Sequence, residues 1–488
     1  MVTEVVPTTE NGRKKVETSF QALSGGTVPV SDSEIGALRG ALRGSVLLPG
    51  EPGYDVARAI WNAMIDRHPG MIVQALGAAD VIQAVNFARE HGVVLAVRGG
   101  GHNIAGNAVC EGGIMLDLSR MRSVHVDPTT RRARVEGGAL LSDVDKETQA
   151  FGLAVPVGIN STTGIAGLTL GGGFGWTSRK FGLTIDNLLS VDIVTADGTL
   201  RRVDATQHPD LFWAVRGGGG NFGVVTSFEF QLSSLGPQVI SGLLLHPFAE
   251  APALLREYRR LAAAAPDELC VWLVLRKAPP ASFVPVEWRD KEVLIIALCY
   301  AGPMEAGEAA AAPFRALGKP IVDLVGPHPF VGWEAAFDPL LAPGARNYWK
   351  SHDLKQLTDA ASDVLLDAAR HLPSSECEVF IGQLGGQINR VPADATAYPR
   401  RDVAFTVNIH TRWRDPAQDA VCTAWTRTLF KALAPHAMGS VYVNFMPADE
   451  ADRIQSAFGS NYARLAEAKR RYDPQNLFRL NQNIPVAA

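Results

Sequence analysis

The chain is predicted to be an α+β protein, and three features of its 488 residues carry that expectation. Strand-like and helix-like segments alternate from His68 to Leu232, but without the regular strand–helix–strand period of a parallel sheet. Turn signals such as Asp197-Gly198 join neighbouring apolar runs directly, which makes those runs antiparallel hairpins. From about Gln238 to Gly439, further strand-like runs are separated by alanine-rich helical stretches, the pattern of an antiparallel sheet backed by helices. A Rossmann-type dinucleotide fold is disfavoured despite the many glycines.

Taken in order, Met1 to about Ser31 mixes Thr, Glu, Lys, Gly and Pro without an apolar segment, so residues 1–40 read as a flexible leader, neither signal peptide nor membrane anchor. Ile72 to Leu76 reads as a strand. Asp80 to His91 has helical apolar spacing at Val81, Ile82, Val85 and Ala88, with Gly92 as the stop. Val93 to Val97 and Ile114 to Leu118 are further strands, and Val124 to Val135 is a hairpin turning at Asp127-Pro128-Thr129-Thr130. Asp197-Gly198 closes a hairpin between Val191 to Thr195 and Leu200 to Val203. At Ser234-Leu235-Gly236-Pro237 the glycine density drops, which sets a boundary between residues 41–235 and 236–439. The second unit holds strand-like runs at Val271 to Leu275, Val293 to Leu298, Val379 to Ile381 and Val403 to Ile409, and a helix over Leu357 to Leu372.

Composition narrows the function. A formal net charge of -4 gives no strong field of either sign, so nucleic acid and anionic membranes are not favoured partners and a small molecule is. No run approaches the length of a membrane span, so the protein is expected to be soluble and cytoplasmic unless it is exported. Cys110, Cys270, Cys299, Cys377 and Cys422 lack CxxC spacing and are odd in number, so they are expected as buried thiols, and no ligand cluster suggests a metal.

The chemistry concentrates in glycine-rich loops: Arg98-Gly99-Gly100-Gly101-His102-Asn103, Leu170-Gly171-Gly172-Gly173-Phe174-Gly175, and Arg216-Gly217-Gly218-Gly219-Gly220-Asn221-Phe222-Gly223-Val224-Val225-Thr226. Glycine lets a backbone approach a ligand closely, as a pyrophosphate surface requires, although the same runs also serve plain turns. With the ending Tyr472-Asp473-Pro474-Gln475-Asn476-Leu477-Phe478-Arg479-Leu480-Asn481-Gln482-Asn483-Ile484, these loops resemble the vanillyl-alcohol-oxidase (PCMH-type FAD-binding) superfamily. The resemblance is to its berberine bridge enzyme-like and oligosaccharide oxidase branch, and it runs from about His68 to the C-terminus.

That resemblance implies a two-part FAD-binding domain at 41–235, a substrate domain at 236–439, and a return of 440–488 to the FAD domain. It implies FAD linked through its 8α-methyl to His102, whose neutral imidazole is a competent nucleophile; on chemistry alone His102 serves a loop hydrogen bond equally well. Many relatives add a second bond from a cysteine where this chain has Asn160, and an amide cannot replace a thiolate, so a single link is expected. Arg98, Gly99, Gly100, Gly101, Asn103, Gly158, Thr162, Thr163, Gly164, Gly167 and Val225 are the further cofactor candidates, with Asn481 and Asn483 under the flavin ring.

Oxidation of an alcohol or amine carbon requires a hydride acceptor and a proton acceptor. In Val441-Tyr442-Val443-Asn444-Phe445, Tyr442 and Asn444 are expected on one strand face, and by resemblance Tyr442 is the base. Asn408 stands where berberine bridge enzyme has a carboxylate base, with His410 on the same face as the alternative acceptor or as an ordinary core histidine. Six of the nine tryptophans, Trp272, Trp288, Trp333, Trp349, Trp413 and Trp425, fall in the middle unit; most are expected in the core, and a few facing the flavin would form a stacking wall for an aromatic or sugar-like substrate. The expectation is an FAD-dependent oxidoreductase using dioxygen. A dehydrogenase with another acceptor and a flavin binder without turnover stay open beside it.

Overall fold

A computed structural model describes residues 8–10, 13–15 and 17–486. The first corrected expectation lies at the start. Residues 17–41 are not a loose leader: Glu17–Gln21 and Thr27–Ser31 form a hairpin, followed by helix Asp32–Ala41, which Ser31 and Glu34 cap reciprocally. Phe20, Val30, Ile35 and Leu38 from this stretch are buried in the core under the first sheet. Four apolar residues so widely spaced give no periodic signal, which is why the sequence conceals them.

That first sheet has four short strands in the order Ser45–Leu47, Met71–Gln74, Ile114–Asp117, Leu95–Arg98. Met71–Gln74 and Leu95–Arg98 both run parallel to Ile114–Asp117, and helix Ala78–His91 makes the crossover. Gly92 ends the helix in the left-handed region, as its position suggests. A second sheet of five antiparallel strands contains both expected hairpins, Val124–Asp127 with Arg132–Glu136 and Leu188–Val194 with Leu200–Asp204, joined through Val224–Gln231.

A third sheet begins at Gln238. Its eight strands are all antiparallel, and Leu269–Lys277, Glu378–Gln383, Phe405–Trp413 and Arg346–Leu354 lie side by side in that order. Helices Ala251–Ala264, Met304–Arg315, Asp359–Ala369 and Asp419–Leu433 cover one face. Side chains alternate along a strand, so Phe405, Val407 and Ile409 pack under those helices while Asn408, His410 and Arg412 stand on the opposite face.

The C-terminal stretch packs back on the earlier part of the chain. Helix Tyr462–Tyr472 lies against helix Pro209–Val215, with Leu465 and Ala468 in the same core as Phe212 and Trp213. Lys469 and Asp473, both fully buried, pair at 2.7 Å. Lys469 also donates to the carbonyls of Asn221 and Phe478, while Asp473 accepts from the N–H groups of Leu477 and Phe478. This clasp fixes the tail motif and carries Leu480 and Asn481 to the cavity described next. Among the described residues no helix is long and apolar enough to cross a membrane.

Candidate functional site

A cavity of about 350 Å³ lies between the glycine loops and the face of the eight-stranded sheet opposite its helices. Gly99, Gly100, Gly101, His102 and Asn103 line one side with Gly158, Asn160, Thr163, Gly164, Gly167 and Val225. Asn408, His410, Tyr442 and Asn444 line the other, and Asn481 closes the floor. Arg98, Thr162 and Asn483 do not line it. Arg98 instead donates to the Ala57 carbonyl beside Asp117, and Thr162 sits behind His102.

The two loops meet back to back: a Cβ at Gly100 would collide with the backbone of Gly164, and one at Gly164 with that of Gly100. At Gly167 and Gly220, by contrast, a Cβ would meet nothing, because both open on the cavity. Among the lining residues, the Oδ1 atoms of Asn481 and Asn408 and the Nε2 of His410 are buried without a partner. Unspent polar atoms beside bare glycine backbone suit a polar ligand with an extended phosphate portion, so FAD is compatible with the residues present.

His102 is held on three sides. Trp61 stacks on its ring at 5.1 Å between centroids and 23° between planes, and the indole N–H is fixed to the Leu341 carbonyl at 2.8 Å. His102 Nε2 lies 2.9 Å from Thr162 Oγ1, and Nδ1 lies 3.5 Å from Thr163 Oγ1. Burial, reinforced by the charge of Arg98 and opposed by a hydrogen bond to the Thr162 backbone, brings its pKa down to about 3. The imidazole is neutral at physiological pH, the form in which it can act as a nucleophile.

At the far end of the cavity one row of residues crosses four strands. Register places Trp349 opposite His410, His410 opposite Glu378, and Glu378 opposite Arg276. Glu378 Oε1 accepts from His410 Nδ1 at 3.0 Å, and its Oε2 accepts from Arg276 at 2.7 Å. Burial would raise the Glu378 carboxyl, but Arg276 and His410 outweigh it and hold the pKa at about 2. His410 is itself lowered, since burial outweighs the pull of Glu378. Its Nε2 and the Oδ1 of Asn408 are buried without partners.

Tyr442 and Asn444 depart from their expected strand. Val443–Phe445 is a turn of 3-10 helix, which lets Asn444 Nδ2 donate to Tyr442 Oη at 2.9 Å. Gly173 N–H donates to the same oxygen at 3.1 Å. Burial pushes the phenol up to about 12 against those two hydrogen bonds.

Of the six tryptophans of the second unit, Trp272 and Trp349 line the cavity, and Trp413 is a core residue with Tyr348 and Cys422. Sequence reasoning missed Trp61 and Glu378. Neither carries a motif, and only strand register and the fold of the 54–66 segment bring them to the site. All five cysteines are buried and free, and no group of three His, Cys, Asp or Glu side chains among the described residues could hold a metal.

Residues 69–204 match the FAD binding domain model, and residues 441–485 match the model for berberine and berberine-like proteins. An FAD-linked oxidoreductase of Dictyostelium discoideum is 31% identical over 429 residues, covering 87% of this chain and 90% of that protein. The (R)-6-hydroxynicotine oxidase of Paenarthrobacter nicotinovorans is 30% identical over 472 residues, covering 91% and 97%. The crystal structure of 6-hydroxy-D-nicotine oxidase from Arthrobacter nicotinovorans superposes with a TM-score of 0.81 at 29% identity, covering 91% and 98%. With the glycine loops, the cavity and these similarities in place, the chain belongs to the FAD-linked oxidoreductases of the berberine bridge enzyme-like family.

Proposed function

We propose that the protein oxidises an alcohol or amine carbon of a small aromatic or sugar-like molecule, using FAD attached covalently through His102 alone and dioxygen as electron acceptor. In this reading residues 41–235 with 440–488 hold FAD and 236–439 receive the substrate. FAD supplies the two-electron acceptor, taking a hydride at N5. The observation that carries the reading is a single cavity with a neutral, stacked histidine among bare glycines at one end and an orphaned imidazole at the other.

The geometry favours His410 over Tyr442 as the proton acceptor. A carboxylate can only accept, so Glu378 fixes the His410 proton on Nδ1 and leaves a lone pair on Nε2, already in base form at neutral pH. A phenol with a pKa of about 12 stays protonated there, and Tyr442 serves better as a hydrogen-bond donor that orients the substrate oxygen. Trp61, Trp349, Trp272, Phe174 and Phe445 around the cavity favour a flat ring, and Arg276, paired with Glu378, leaves no free cation in the row for an anionic substrate.

Anaerobic mixing with a panel of sugars, alkaloids and phenolic alcohols tests the reading. Bleaching of the yellow flavin band by one class, reversed by air, is the expected result. A spectral shift without bleaching throughout would make the protein a flavin binder, and recovery only with a quinone would make it a dehydrogenase.

A further inference from the structure

We infer that Asn160, acting through the Thr162 hydroxyl, sets the tautomer of His102 and so selects Nδ1 as the nitrogen that bonds the flavin. The inference rests on the covalent reading above. Asn160 stands where many relatives carry the cysteine of a second flavin bond, and the structure gives its side chain different work.

The Thr162 backbone N–H, which can only donate, lies 3.1 Å from Asn160 Oδ1, so the atom facing it is the amide oxygen. The same oxygen lies 2.8 Å from Thr162 Oγ1, and because a carbonyl oxygen can only accept, the hydroxyl proton points to Asn160. Thr162 Oγ1 therefore meets His102 Nε2, at 2.9 Å, with a lone pair, and Nε2 must carry the proton. Nδ1 is left with the free pair, and Thr163 Oγ1 lies 3.5 Å from it. Trp61, stacked on the ring and anchored to Leu341, fixes the plane in which the imidazole lies.

The step balances with dioxygen as oxidant. The Nδ1 lone pair forms a C–N bond to the 8α carbon, that carbon loses one proton, and Nε2 loses the other. The two electrons enter the ring system and pass to dioxygen, giving hydrogen peroxide. The Thr162 hydroxyl can then turn to donate to the unprotonated Nε2. Asn160 and Thr162 are thus positioning residues rather than ligands of the cofactor.

The test reads the linkage, not turnover. A flavopeptide cut from the acid-denatured wild-type protein, analysed by proton–nitrogen correlation NMR, is expected to show the flavin carbon on Nδ1. Carbon on Nε2 would overturn this inference while leaving the covalent reading intact, and a peptide with no flavin would overturn both. In variants incubated with FAD, Thr162→Val keeps the backbone N–H bond to Asn160 but loses the hydroxyl. It should accumulate linked flavin at least about tenfold more slowly, while Thr162→Ser keeps the wild-type rate. Asn160→Leu frees the hydroxyl proton to go to Nε2 and should slow linkage likewise, with rescue by Asn160→Asp. Wild-type linkage rates in Thr162→Val and Asn160→Leu would contradict the inference.

Discussion

His410 donates through Nδ1 to Glu378 Oε1 at 3.0 Å, between residues directly paired on neighbouring strands, and the same carboxylate is held by Arg276. A histidine oriented by a carboxylate, with its second nitrogen unpaired, is the arrangement of a general base fixed in one tautomer. His410→Ala should therefore slow flavin reduction by about 100-fold to 10,000-fold, measured anaerobically with the panel compound that bleaches best. Tyr442→Phe should cost about tenfold or less, the worth of one neutral hydrogen bond. The reverse order would restore Tyr442 as the proton acceptor.

Glu378→Gln isolates the positioning role. The amide keeps the shape but loses the charge that raises His410, so reduction should slow by about tenfold to 100-fold. Its pH profile distinguishes this from a packing defect. The groups facing His410 are Glu378 from one neighbouring strand, Arg276 beyond it, and Arg412 on its own strand. Because burial sets the His410 pKa below 6.5, the wild-type rate should be flat through neutrality and fall only on the acid side of that value. Loss of the Glu378 charge should move the fall to still lower pH, and an unmoved acid limb would mean that Glu378 is structural.

Asp473→Asn should destabilise the protein by about 3–5 kcal/mol, because it leaves the Lys469 ammonium buried without its counter-charge. Urea unfolding followed by tryptophan fluorescence reads the loss. A change below about 1 kcal/mol would remove the clasp from the account of the tail.

Asp145 and Glu334 are two buried carboxyls whose pKa values are both raised, Asp145 to about 8, by burial, with mutual repulsion adding to it at Glu334. Each has an oxygen without a partner. A folded pKa above the unfolded one means a contribution fully present below pH 3.8 and lost as pH rises through about 8. Asp145→Asn, which removes the titration, should raise Tm more at pH 8 than at pH 5. An equal gain at both values would show that the carboxyl does not titrate in this range.

What the sequence made legible follows from what is local. The apolar strand at Met71–Gln74, helix Ala78–His91 with its Gly92 stop, and the Asp197-Gly198 hairpin rest on short-range pattern, and all three form. His102 stood out because a histidine within a glycine run is unusual chemistry. The row Trp349–His410–Glu378–Arg276 was illegible, since it exists only once four separate strands align in register. Trp61 reaches His102 from 41 residues upstream through the packing of the 54–66 segment, which has no motif. Tyr442 and Asn444 alternate in sequence as a strand would, but the Gly173 N–H and the bond between their own side chains stabilise a tight turn instead. The burial of Lys469 depends on carbonyls supplied by Asn221 and Phe478, which no local pattern in the tail announces.

The central claim is that His102 is the one covalent anchor of FAD in this cavity. Burial pushes the Cys110 thiol up to about 12, so it is not a competing nucleophile, and Asn160 offers none. Acid precipitation of the purified protein, followed by peptide mapping of the pellet, measures this directly. The account predicts yellow pellets with flavin on the His102 peptide alone, and colourless pellets with free FAD in the supernatant for His102→Ala. Flavin released from the wild-type protein, or found on the Cys110 peptide, would contradict it.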